Sequence, residues 1–226
     1  MKTLSSGGAV AIWHDIVPEG LAEFYAWHGE EHMPERVAIP GFLHGRRFIA
    51  VDADLGFFNL YETTSPEVVK GAAYKAALDN PTPRTLSAVR HFRAVARSLC
   101  RVAVRTGAGQ GGVIATLRYD VPPANDASHL ADMTIRVVDR LAAQEGIASV
   151  MLLATDREAS GYVNAEQRAR GVPNVVPSYT LIIEGWADEA DFIRCVKSHL
   201  DSKSLPPTEC ARLGFYRHQL TVRKSA

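Results

Sequence analysis

The stretch GGAVAIWHDIVPEG near the start of this chain is echoed from Gly111 by GGVIATLRYDVPPAN. Each copy is a short apolar strand that begins at a glycine pair and runs into Asp, Val and Pro; the first carries an extra Ile16 after its Asp. Self-similarity of this kind marks one supersecondary unit used twice, and it limits the fold more than any single element does. Between the copies lies RTGAGQGG, Arg105 to Gly112, a glycine-rich turn suited to a linker.

The first half reads as strand, helix, two strands, helix and strand. Val10 to His14 is strand-like. Pro18 suits a first helical turn, and Leu21, Phe24, Tyr25, His28 and His32 then fall on one helical face. Pro40-Gly41 ends that helix. Phe42 to Val51 and Phe57 to Glu62 read as strands paired across the Asp-Ala-Asp-Leu-Gly turn. Ser65-Pro66-Glu67 has the composition of a helix start, with the helix running to about Leu78. Asn80-Pro81-Thr82-Pro83 breaks it, a short helix follows, and Phe92 to Val104 is a strand. The second half repeats the order: strands at Val113 to Tyr119, Ala148 to Ala154, Tyr179 to Gly185 and Leu213 to Val222, helices at His129 to Gln144 and Ala187 to His199.

Each half is therefore a βαββαβ unit with helices on one sheet face. The other face must be buried against a second sheet. The predicted fold class is α+β: two tandem ferredoxin-like βαββαβ units, residues 1–108 and 109–226, forming an intramolecular dimeric α/β barrel. The halves are unequal. The first-half helix is rich in His, Glu and Trp, whereas its counterpart ADMTIRVVDRLAAQEG has no histidine. The second half has a long insertion, Asp156 to Pro177, expected to protrude as an arm or lid and to be cut first by proteases.

A 226-residue chain that is 46% hydrophobic can bury a core of ordinary size. Lys+Arg and Asp+Glu stand at 25 each, so no net field draws in nucleic acid or an anionic membrane. The arginines from Arg84 to Arg105 read as a solvated strand face. Three cysteines, Cys100, Cys195 and Cys210, with no CxxC pair, argue against a disulfide framework and a zinc knuckle. The start MKTLSSGGAVAIWHD lacks the apolar core of a signal peptide, and no apolar run approaches the ~20 residues of a membrane helix. The expected setting is the reducing cytoplasm, with a second copy of the chain in a homodimer left open. No phosphate loop, GxSxG elbow or dinucleotide fingerprint is present.

The run from Trp27 to Gly41, with Glu31-His32, Pro34 and the turn Ile39-Pro40-Gly41-Phe42, resembles the helix-to-strand signature of EthD-like proteins of the dimeric α/β-barrel superfamily. Tyr74 to Thr85, YKAALDNPTPRT, is similar to a segment of uncharacterised bacterial members. The resemblance covers the first half; the second follows by topology. It implies the company of muconolactone isomerases, methylmuconolactone methylisomerase, polyketide cyclases, cofactor-free monooxygenases and haem-binding branches, and a bacterial catabolic role. His32 matches the catalytic histidine of the methylmuconolactone branch, but the cysteine that branch also uses is missing from the third strand here. Membership of so varied a group leaves the chemistry open.

His28 and His32, one turn apart, can reach one point. Three readings stand: general acid/base catalysis near neutrality, a metal pair awaiting a third ligand, or structural histidines tied to carbonyls. On the leading reading the chain is a small-molecule enzyme without a cofactor that isomerises, cyclises or cleaves a hydrophobic carbonyl or lactone metabolite. His32 shuttles the proton, with His28 and Glu31 orienting it, and Trp13, Arg46, Tyr61 and Asn59 hold the substrate. The alternatives are an oxidative enzyme using haem or a metal ion (or no cofactor), and a non-catalytic ligand-binding or stress protein.

Overall fold

The computed structural model describes residues 7–201 and 205–224; residues 1–6, part of the segment read against a signal peptide, lie outside them. The first half comprises β1 (Gly8–Ile16), α1 (Leu21–Trp27), α2 (Met33–Ala38), β2 (Phe42–Asp52), β3 (Phe57–Thr63), α3 (Ala72–Asp79), α4 (Pro83–Ala88) and β4 (Phe92–Thr106). The second comprises β5 (Val113–Asp120), α5 (Asp126–Met133), α6 (Asp139–Ala142), β6 (Ile147–Thr155), α7 (Arg157–Ser160), α8 (Ala165–Arg170), β7 (Tyr179–Gly185), α9 (Glu189–His199) and β8 (Glu209–Arg223).

These strands close into one antiparallel barrel in the order β1-β3-β2-β8-β5-β7-β6-β4. Each half contributes a four-strand sheet. The seams are β2 against β8 and β4 against β6, so the described strands leave no unpaired sheet edge. The α+β reading with two βαββαβ units in one barrel is the observed fold. A further sign of the shared plan is that a π-helical turn interrupts the main helix of both units, at His28–His32 and at Thr134–Val138. No helix among the described residues is long and apolar enough to cross a membrane.

Strand parity sorts side chains between lumen and helices. On β3, Phe58 and Leu60 face the lumen while Phe57 and Tyr61 face the helices. The lumen is solid. Trp13 stacks on Phe58 with centroids 4.9 Å apart, donates from Nε1 to Thr116 Oγ1 at 3.0 Å, and lies under the Arg118 guanidinium at 5.1 Å. Towards the other end Arg46 is gripped by Glu184 through two bonds of 2.6 and 2.7 Å and touches Glu62 at 3.4 Å. Burial alone would raise the Glu62 carboxyl, but His44, Arg105 and Arg46 around it bring it down to about 2.

Two local expectations need correction. Ser65 does not cap a helix: Val68 to Lys70 form a tight turn, Gly71 is extended with ψ 160°, and α3 begins only at Ala72. The chain leaves β3 too close to the sheet for a helix to start at once; Thr63 Oγ1 holds the Ser65 carbonyl at 2.8 Å. Thr82 does what Ser65 was expected to do, capping α4 through the Thr85 amide with Pro83 behind it. The second-half helix also starts earlier than expected, at Asp126.

Of the arm or lid expected, the insertion is the lid. It crosses from the second half onto the first. Val175 bridges Ala96, its amide donating to the Val95 carbonyl and its carbonyl accepting from the Arg97 amide, both at 3.0 Å. Asn164 caps α8, and Asp79 of α3 receives the Ala165 amide at 3.1 Å. Its polar groups find partners on the first half, so it lies closed over that half rather than standing free as an arm.

Candidate active site under the first-half helices

α1, its π turn and α2 cover the helix-facing side of the first sheet. In the second half the equivalent space is filled by Met133, Val137, Val138 and Leu141 packed on Leu117 and Leu181. In the first half, aromatic and polar side chains stand there instead, and they leave a small cavity of about 60 Å³. His32, Tyr61, Trp27 and Phe92 line it from the first half; Glu166, Gln167 and Arg170 line it from the insertion.

His28 is buried and fully engaged. Arg47 Nη1 lies 3.3 Å from its Nδ1, and its Nε2 lies 3.4 Å from the Tyr61 hydroxyl. An arginine can only donate, so Nδ1 accepts, the proton of the neutral ring sits on Nε2, and Tyr61 accepts it. The Tyr61 hydroxyl proton is thereby left for the cavity. Burial raises the Tyr61 phenol, which stays protonated. His32 stacks over His28 at 5.6 Å and against Trp27 at 4.3 Å, and its Nδ1 is buried without a partner. Burial and then the Arg36 and His28 charges push the His32 pKa well below its ordinary value, so its ring is neutral at pH 7.

The remaining sequence candidates divide cleanly. Asn59 faces the same side and donates to His14 Nε2 at 2.9 Å, which places it behind the cavity rather than on it. His14 is walled by Phe92, Phe57 and Phe24. Glu31 turns outward: its carboxylate accepts from the Thr82 hydroxyl and lies 3.7 Å from Arg84, so it orients neither histidine. Helical geometry explains this, because adjacent residues such as 31 and 32 point about 100° apart. Trp13 and Arg46 are in the lumen, their polar groups taken up by Thr116 and Glu184. Two buried residues that sequence reasoning passed over are Arg36, paired with Glu166, and Arg97, whose Nη2 donates to the Tyr74 hydroxyl at 2.9 Å. Arg97 was read as part of a solvated strand face, and that reading is overturned by the insertion, which covers it to 6% exposure. Arg93 and Arg101 on the same strand do stay exposed.

The haem implied by the superfamily resemblance does not fit these residues. Both nitrogens of His28 are occupied, His14 is enclosed by phenylalanines, and the space facing His32 takes only a few atoms. Among the described residues no group of three or more His, Cys, Asp and Glu is arranged to hold a metal ion.

No protein-family model and no curated protein matches this chain. Solved structures do match over nearly the whole length. They include an anthrone oxidase-like protein (TM-score 0.62, 12% identity, 96% of this chain and 92% of the other). A candidate monooxygenase of Lactobacillus acidophilus NCFM is similar (0.58, 11%, 97% of both), as is a chlorite dismutase candidate (0.55, 10%, 95% of both). At such identities the likeness is one of fold, and together with the closed eight-strand barrel it makes this chain a dimeric α/β barrel assembled from a single polypeptide.

Proposed function

We propose that this protein is an enzyme that takes a proton from carbon beside a carbonyl group in a small hydrophobic metabolite, and so isomerises, cyclises or cleaves it. One observation carries this: a neutral histidine with an unpartnered buried Nδ1 shares a cavity with a tyrosine whose hydroxyl proton is free to donate. His32 would accept the carbon-bound proton, and Tyr61 would donate to the enolate oxygen that forms. The imidazolium and the enolate then offset each other's charge in a dry site. Returning the proton to a different carbon completes an isomerisation. Trp27 and Phe92 would flank the reacting carbon, since the space beside His32 admits only a few atoms of the substrate. Arg47 and His28 act by fixing the direction of the Tyr61 hydroxyl.

The same first step serves an oxidation, in which the enolate reacts with dioxygen. The anthrone oxidase-like and monooxygenase-type fold neighbours favour keeping this second reading. Oxygen uptake during turnover separates the two.

The test needs no natural substrate. Aryl ketones and unsaturated lactones are incubated with the protein in D2O, and deuterium entering the carbon beside the carbonyl is followed by NMR. His32→Gln should slow exchange by ~10²–10⁴-fold, the usual loss for a positioned base. Because the pKa of His32 is lowered, wild-type exchange should show no acid limb near 6.5 while the fold persists. Exchange at an undiminished rate in His32→Gln would remove this histidine from the mechanism.

A further inference from the structure

The cavity gathers more positive charge from the first half and the insertion together than its one carboxylate neutralises. Arg36, Arg97 and Arg170 line it, and the one carboxylate among its lining residues is Glu166. Glu166 is bound to Arg36. Arg97 has only the neutral Tyr74 hydroxyl for its guanidinium and lies 6.0 Å from that ring. Arg170 donates to the Asn174 amide oxygen at 2.5 Å, and its Nε is buried with no partner. The two guanidiniums feel each other: burial and then the Arg97 charge lower Arg170 to about 10, with the Glu166 charge only partly offsetting them. Two cations held under a lid with one orphaned donor cost stability unless an anion joins them.

Arg97 also borders a second space. Arg97, Tyr74 and Leu78 also form the inner wall of a second chamber of about 420 Å³ between α3 and the insertion, whose floor includes Val69, Leu99 and Ala159. Arg97 therefore stands between a small polar space and a larger, partly apolar one, with Arg170 on its inner side.

We propose that Arg97 and Arg170 form a subsite for the carboxylate of a substrate or effector acid, whose apolar body occupies the outer chamber. A carboxylate matches the planar guanidinium fork and needs room for only a few atoms on the inner side. The insertion thus supplies half of the recognition as well as the cover. This assignment specifies the substrate class of the proposed enzyme and rests on that reading for its functional meaning, but it is read by binding alone, so its failure leaves the proton-exchange test of His32 untouched.

The experiment is calorimetric titration of the full chain with benzoate, and with benzamide as the neutral probe of the same shape. Benzoate should bind at least about tenfold more tightly than benzamide, the difference expected of charge-assisted hydrogen bonds. That discrimination should vanish in Arg97→Met and in Arg170→Met and partly return in Arg97→Lys. Arg168→Met, on the same helix but exposed and near Asp79, should keep it. Circular dichroism checks that each variant is folded, and an unfolded Arg97→Met leaves Arg170→Met, on the covering segment, to decide. Equal binding of the two probes, binding of neither, or discrimination that survives in folded Arg97→Met or Arg170→Met would overturn the subsite.

Discussion

Acidification should unfold this protein sharply between about pH 5.5 and 4, with about one proton taken up by each of its three most deeply buried histidines. His14, His28 and His32 are all neutral in the fold because burial opposes their charge. His14 is the best-defined case, brought from 6.5 to about 3, with the Asp15 backbone resisting and the Arg170 and Arg47 charges assisting. The unfolded chain binds protons near pH 6.5 and the folded one only far below, so stability is complete above 6.5 and drains away as pH falls towards the folded values. Each histidine shifts the folding equilibrium about tenfold per pH unit in that window, and the three together about a thousandfold. A small domain commonly starts with a folded-to-unfolded ratio of roughly 10³–10⁸. Denaturant melts at half-unit pH steps give the proton number as a slope. His28→Gln or His32→Gln should lower that slope by about one. Titration of the His14, His28 or His32 ring near 6.5 in the folded protein would defeat the argument.

Removing the Glu184 carboxylate should be the most damaging single change outside the cavity. Arg46 is 1% exposed and donates two short hydrogen bonds to that carboxylate, with only a longer contact to Glu62 in reserve. Breaking a buried pair on one side typically costs ~3–5 kcal/mol, because the partner's charge stays behind without compensation. Glu184→Gln should therefore lower the melting temperature by about 10 °C, at roughly 2–4 °C per kcal/mol for a chain of this size. Adding Arg46→Met should recover most of the loss. The equivalent position of the second unit is already Met151, which packs in the lumen; both positions follow a left-handed turn glycine, Gly41 and Gly146. A double variant no more stable than Glu184→Gln would show that the pair is needed for more than charge balance.

Several elements could be read directly from local composition. Tyr179–Gly185 is a strand at the bounds expected, and the Pro40-Gly41 stop, the Thr82-Pro83 break and the glycine-rich turn after β4 all fall where backbone chemistry demands. The repeat of strand, Asp, Val and Pro implied two like units, and a sheet with one uncovered face implied that they must meet. Helical spacing likewise placed His28 and His32 on the buried face.

What the sequence by itself determined is thus the element order, the doubled unit and one face of one helix, because these depend on residues close together in the chain. Tertiary structure alone decided which side of each strand is the lumen. β3 and β7 are buried at every position, so the in-out alternation that normally reveals a face is erased, and Asn59 could not be sorted in advance. It also decided what the insertion covers. Glu166 and Arg170 meet Arg36 and Arg97 across long intervals of chain, and no local pattern reports that such groups will be desolvated together. Charge and burial at this site are products of closure, which is why its arginines looked like surface residues until the barrel and its lid were in place.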